Sequence, residues 1–335
     1  MSEITQTIDM DNIWRGRIDA EEDAALATRL HQVIHALPDA APETQEDGIG
    51  IIGFCSDEGV RRNQGRVGAA EAPNLLRQAL ANLPWSPQYP VYDAGNIVCR
   101  AGDLDAAHRA LADKVTAIVQ RDLFPFVLGG GHEVAYGSWL GLANALSPAN
   151  TSASSKPVIG IINFDAHFDL RTDSQGASSG TPFYQIAAEC AARDLPFRYC
   201  CLGVSETANT AALFKRAADW DVCYRTDQQM SLLHLPETRS QLQQFMATCD
   251  ALYLTIDLDV LPAWVAPGVS APAAYGVSLE VIEVLLAEIL ATGKLALADI
   301  AEYNPLFDQD KQTARVAARL FYQLMRGHSN ESTLK

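Results

Sequence analysis

Residues 158–171 read VIGIINFDAHFDLR, a short unbroken apolar run that gives way at once to spaced polar side chains. An apolar run of this length without alternation fits a strand buried on both faces, the condition of a parallel sheet covered by helices. Open α/β sheets hold ligands beyond the carboxyl ends of such strands, so Asp165, His167 and Asp169 fall where function is expected. Lying two apart, they point the same way along an extended backbone, and a turn could gather them round one point. Two carboxylates beside an imidazole resist burial unless a cation offsets their charge. A divalent metal meets that demand, and a solvated acidic loop is the alternative.

The pattern recurs along the chain. Gly48–Phe54, the apolar run before GGGHE, Phe197–Val204, Val222–Tyr224, Ala251–Val260 and Leu295–Ile300 are strand-like. Helical periodicity falls between them, at residues 73–83, 103–121, 134–146, from Pro182 onward, and at 211–220, 278–292 and 310–325. Such alternation predicts an α/β protein with a central parallel sheet, and 335 residues are read as one domain, 1–335. Residues 1–47 are expected to form an N-terminal extension. It would carry a helix over Glu21–Leu37, with Ala25, Leu26, Leu30, Val33 and Ile34 on one face and Pro38 as its stop. The polar tail 327–335 is expected to fray.

Several strand ends carry chemistry. Gly129–Gly131 allow a sharp turn that places His132 and Glu133 at the start of a helix; no Lys-Ser/Thr follows, which argues against a phosphate loop. Asp257 and Asp259 repeat the two-residue spacing where like charges would destabilise a purely structural pair. Leu295–Ile300 delivers Glu302. The loop after Gly48–Phe54 holds Asp57, Asn63, Gly65, Arg66 and Gly68, suited equally to ligand contacts and to a surface turn. Two histidines and four aspartates (His132, Asp165, His167, Asp169, Asp257 and Asp259) exceed the needs of one metal. Two divalent ions bridged by Asp165 and Asp257 would balance the charge and ionise a shared water near neutral pH. Oxygen-rich donors with imidazole and no thiolate favour two Mn2+ ions over structural zinc or calcium.

Composition removes other classes. A formal charge of −16 disfavours nucleic acid, and no apolar run is long enough to span a bilayer, so neither nucleic acid nor membrane is expected as a partner. The first residues lack a secretory pattern, and the seven scattered cysteines read as reduced thiols; a cytoplasmic protein is expected.

GGGHE, NFDAHFD, LTIDLDVL and DIAEYNP, in this order and together with GRVGAAEAP and DAGNI, resemble the signature stretches of the arginase/agmatinase ureohydrolase family. The resemblance implies a single three-layer α/β/α domain with a binuclear manganese centre. One ion would take His132, Asp165, Asp169 and Asp257, the other Asp165, His167, Asp257 and Asp259, the pairing also reached from the residues alone. It makes Glu302 the acceptor for amidine-type nitrogens of the substrate, and homo-oligomers are common in the family. Arginases and agmatinases carry a His-Gly in the loop after Asp-x-His-x-Asp; here the chain reads Ser179-Gly180-Thr181-Pro182-Phe183. Their proton-carrying histidine is missing, which leaves Asp169 or solvent for that task. Arg171 stands close after Asp169, where arginases place an asparagine near the amino-acid end of the substrate. A fixed cation suits an acidic substrate, unless it merely pairs with a surface Asp. Together with DEGVRRNQGRVGAAEAP, these features resemble the formimidoylglutamase branch. The expected reaction is hydrolysis of N-formimidoyl-L-glutamate to L-glutamate and formamide, with Asp169 and Glu302 catalytic and Arg171, Ser179, Gly180 and Asn63 binding substrate. The alternatives are a guanidino acid such as guanidinobutyrate, with urea as product, and a non-catalytic member.

Overall fold

The computed structural model describes residues 4–23, 26–38, 48–85, 89–147 and 156–332, with side chains to 326. The link after Pro38, the Ser-rich link over 148–155 and the last three residues lie outside the described residues. Among the described residues ten strands join one sheet: β1 Thr5–Gln6, β2 Ile34–Ala36, β3 Gly48–Cys55, β4 Val91–Val98, β5 Leu123–Leu128, β6 Ile159–Phe164, β7 Arg198–Val204, β8 Cys223–Thr226, β9 Ala251–Asp257 and β10 Leu295–Ala301. The order is β1-β4-β3-β5-β10-β9-β6-β7-β8, with β2 also on β4, and every pairing is parallel except β1 with β4. β5 and β6 follow one another in the chain, yet β10 and β9 lie between them. This divergence opens a crevice at the carboxyl ends of four adjacent strands.

Alternate residues of the central strands feed two cores. Ile49, Ile162, Leu254 and Ile256 pack on one face with the helices Ala72–Leu80, Leu279–Leu290 and Gln312–Ser332. Ile52, Ile161, Tyr253 and Leu297 pack on the other with Leu104–Val119, Val134–Leu146, Pro182–Arg193 and Ala211–Asp219. The result is the expected three-layer α/β/α architecture.

Several elements differ from expectation, the short helix Glu58–Arg62 inside the expected loop among them. Residues 21–37 form no α-helix over their described part: Leu30–Gln32 is a single 3-10 turn and Ile34–Ala36 is β2. Leu30 and His31 donate their N–H groups to the carbonyls of Leu83 and Ala81, and Ile34–Ala36 pair with the edge of β4, so tertiary partners replace intrahelical bonds. The strand Val91–Val98 and the helix Leu235–Ala247 were not foreseen. The last helix continues beyond Met325 to Ser332. Among the described residues no helix is long and apolar enough to cross a membrane.

Candidate metal centre

The first ligand group is set by the three glycines after β5. Gly129 N–H donates to Ile300 O and Gly131 N–H to Ser56 O, and a Cβ at Gly130 would collide with the Ser56 carbonyl. Only glycine lets the chain thread between β3 and β10 and present His132 at the crevice. His132 Nδ1 then faces Asp165 Oδ2 at 3.0 Å, Asp169 Oδ2 at 3.0 Å and Asp257 Oδ2 at 3.2 Å. Despite this proximity it is buried without a well-directed hydrogen bond, as a ring nitrogen aimed at a shared central point would be. His132, Asp165, Asp169 and Asp257 thus bring four ligand atoms together. Asp165, His167 and Asp259 make a second group, with His167 Nδ1 3.0 Å from Asp259 Oδ2. Asp165 belongs to both groups. Asp257 is counted only in the first, its Oδ1 accepting the Asp259 N–H at 2.8 Å.

Electrostatics give the same reading. Burial pushes the Asp257 carboxyl well above the usual range, reinforced by the charges of Asp259 and Asp165. Burial and the Asp165 charge raise Asp169 to about 6. At His132, burial opposes the imidazolium, but the carboxylates of Asp165, Asp169 and Asp257 outweigh it and hold the ring well above its ordinary value. Asp165, beside both imidazoles, is instead pulled below the usual carboxylate range against the effect of burial, so the histidines offset part of the crowded negative charge while Asp257 and Asp169 resist ionising. Oxygen and imidazole donors, a buried ring nitrogen and this demand for positive charge all fit divalent metal.

Backbone conformation supports the arrangement. Asp169 and Glu302 both adopt left-handed φ, +48° and +64°, a conformation that costs a non-glycine residue roughly 1–2 kcal/mol. Glu302 is held there by its N–H on Gly130 O, 2.8 Å. Its Oε1 accepts the His132 N–H at 2.8 Å, while Oε2 is buried and unpartnered. Burial, then the charge of Glu133, raises the Glu302 carboxyl to about 8.

A cavity of about 320 Å³ joins His132, His167, Asp169, Asp257, Asp259 and Glu302 to Asn63, Arg171 and Ser179. Arg171 is exposed and pairs with no carboxylate among the described residues. Asn63 Nδ2 donates to Ser179 Oγ at 3.2 Å. Gly180 sits behind this wall: its carbonyl accepts the Arg171 N–H, and a Cβ there would press on Arg171 Cδ and the Asn63 amide. Arg66 also lines the cavity, fixed by Ser270 and lying 3.9 Å above the Phe307 ring. Asn209 had given no sign in the sequence. It accepts the Phe168 N–H and donates to Ala166 O, bracing the turn between Asp165 and Asp169 through contacts that only the folded sheet creates.

The Arginase family profile matches residues 47–327, and the chain belongs to the arginase family. Within it, the chain is 55% identical to the formimidoylglutamase of Aeromonas hydrophila over 95% of its own length and 98% of that protein. It is 53% identical to the formimidoylglutamase of Chromobacterium violaceum over 95% and 98%. The crystal structure of Trypanosoma cruzi formiminoglutamase with Mn2+ superposes with a TM-score of 0.73 at 28% identity, covering 86% of this chain and 96% of that one.

Proposed function

We propose that the chain hydrolyses N-formimidoyl-L-glutamate to L-glutamate and formamide. The observation that carries this reading is the cavity joining the His/Asp clusters to the guanidinium of Arg171, which pairs with no carboxylate among the described residues; the relatives named above support it. Two Mn2+ ions fit the donors. His132, Asp165, Asp169 and Asp257 would hold one, and Asp165, His167 and Asp259 the other; the family pairing adds Asp257 to the second, next to Asp259, whose N–H its Oδ1 accepts. Bound there, two such ions supply Lewis acidity and a water that ionises near neutral pH.

The chain's own groups do the rest. Arg171 offers a two-pronged donor to a substrate carboxylate, beside the Asn63 amide and Ser179 hydroxyl. Glu302, with Oε1 fixed by the His132 N–H, turns its free Oε2 to the formimidoyl N–H and stabilises the positive charge of the amidine under attack. Water adds to the formimidoyl carbon. The Asp169 carboxylate, through the oxygen not turned to His132, accepts a proton from the water and returns one to the departing α-amino nitrogen, in the absence of a loop imidazole. The C–N bond to glutamate then breaks and formamide leaves. We place the reaction in the cytoplasm, where the seven free cysteines stay reduced.

The test is product analysis on manganese-loaded protein given N-formimidoyl-L-glutamate, arginine, agmatine and guanidinobutyrate separately. Formamide and glutamate from the first alone are expected. Urea from any other would overturn the assignment of the substrate.

A further inference from the structure

His132 is held at both edges of its ring. Nδ1 faces the carboxylates, while Nε2 lies 3.0 Å from Thr255 Oγ1 on β9. Behind Thr255 is a group of side chains that reach no solvent: Tyr253, two residues earlier on the same strand face, Asp299 on β10 and Ser138 on the helix Val134–Leu146. Thr255 and Asp299 are register partners on adjacent parallel strands, which sets their side chains side by side on one face of the sheet. Tyr253 Oη donates to Asp299 Oδ2 at 2.6 Å. Asp299 Oδ1 is buried with no well-directed hydrogen bond. A fully buried carboxyl without a basic side chain in an ion pair is costly to retain, and the chemistry proposed above does not use it.

Its position suggests a use. A threonine hydroxyl both donates and accepts. With a carboxylate directly across the strands, its proton is drawn to Asp299, and its oxygen is left to accept from His132 Nε2–H. A neutral imidazole protonated at Nε2 keeps its lone pair on Nδ1, the atom that faces Asp165, Asp169 and Asp257. Resting on the reading that these clusters hold metal, we propose that Asp299 is a positioning residue for the metal centre. Acting through Thr255, it fixes His132 in the tautomer able to bind a cation, and Tyr253 anchors its carboxylate.

Asp299→Asn places an N–H donor opposite Thr255, turning the hydroxyl so that it donates to Nε2 and drives the ring proton to Nδ1. Thr255→Val removes the hydroxyl at equal volume, and Thr255→Ser keeps it. Manganese binding by calorimetry, with thermal unfolding of the metal-stripped proteins, separates the outcomes. The parent should bind two equivalents. In Asp299→Asn and Thr255→Val one equivalent should weaken by about 10–100-fold, the range typical when an outer partner of a metal-bound histidine is lost. The double variant should be no weaker than either single, since both break one chain of bonds. Thr255→Ser should bind like the parent.

Two tight equivalents in both variants would overturn the inference. So would equal weakening of both equivalents together with a lower melting temperature of the stripped protein, which marks a general structural role. A parent that binds no manganese overturns the metal reading itself, a result distinct from either. Should Asp299→Asn not fold, Thr255→Val decides alone.

Discussion

Arg171 stands in a chain where 41 acids outnumber 25 basic residues, yet among the described residues no acid pairs with it. Gly180 leaves the room its side chain needs, and the cavity supplies the direction. A charge-assisted bond to a substrate carboxylate is worth about 1.5–3 kcal/mol. Arg171→Met should therefore raise KM by about 10–100-fold, with kcat changed by no more than a few-fold, because the carboxylate lies away from the bond that breaks. Steady-state kinetics on N-formimidoyl-L-glutamate check this, and an unchanged KM would return Arg171 to the solvent. Asp169 and Glu302 show a different economy. Both sit on left-handed backbone within the site, as expected where surrounding hydrogen bonds hold functional groups in a less favoured conformation.

At the scale of elements, two buried polar groups tie helices to the sheet. Arg77, in the helix Ala72–Leu80, places Nε 2.6 Å from Asp93 Oδ2 and Nη2 2.9 Å from Oδ1 on β4, with Trp14 Nε1 completing the carboxylate's shell. Arg77→Met would strand a buried charge and should cost about 3–5 kcal/mol in chemical denaturation. His108, in the helix Leu104–Val119, is buried against Phe54 and Tyr136 with neither ring nitrogen bonded, and burial lowers it from 6.5 to about 3. The folded state therefore keeps it neutral while the unfolded chain takes up a proton. Its contribution is present above pH 6.5 and is lost as pH falls from 6.5 toward 3, at about 1.4 kcal/mol per unit. His108→Phe should flatten stability between pH 6 and 4 in denaturation series, and an unchanged slope would place the acid sensitivity elsewhere. β6 and β9, which end in the candidate ligands Asp165, His167, Asp257 and Asp259, were legible because each is an unbroken apolar run followed by acids spaced two apart. Val91–Val98 was missed because its apolar residues are interrupted by Asp93, Gly95 and Asn96, whose polar groups find their partners in Arg77, Trp14 and Asn74 only once the chain is folded. Leu235–Ala247 was missed because it buries only Thr238, Leu242 and Met246. In residues 21–37 a helical period stood in the sequence, but the β4 edge and the Ala81–Leu83 carbonyls offered better partners.

The whole molecule converges on the crevice above β5, β10, β9 and β6, four neighbouring strands whose loops bring His132, Glu302, Asp257, Asp259 and Asp165 together. Sequence spacing could propose the ligands, but their meeting depends on a strand order in which β10 and β9 come between β5 and β6. Crowded carboxylates pull against that convergence: burial and mutual repulsion push Asp257 and Asp169 upward when only protein groups offset them. Manganese that binds the folded centre and not the open chain must then stabilise the whole fold. At a concentration 100 times its dissociation constant, one ion contributes about 2.7 kcal/mol. For a chain of this length that corresponds to a rise of about 4 °C in melting temperature per site. Thermal unfolding after chelation and across a manganese titration should show a total rise of about 8 °C. The rise should grow with the logarithm of concentration above saturation, and Asp257→Asn should abolish most of it. A melting temperature indifferent to manganese would mean that the histidine–carboxylate pairs satisfy one another without an ion, and the metal reading of the site would fall with it.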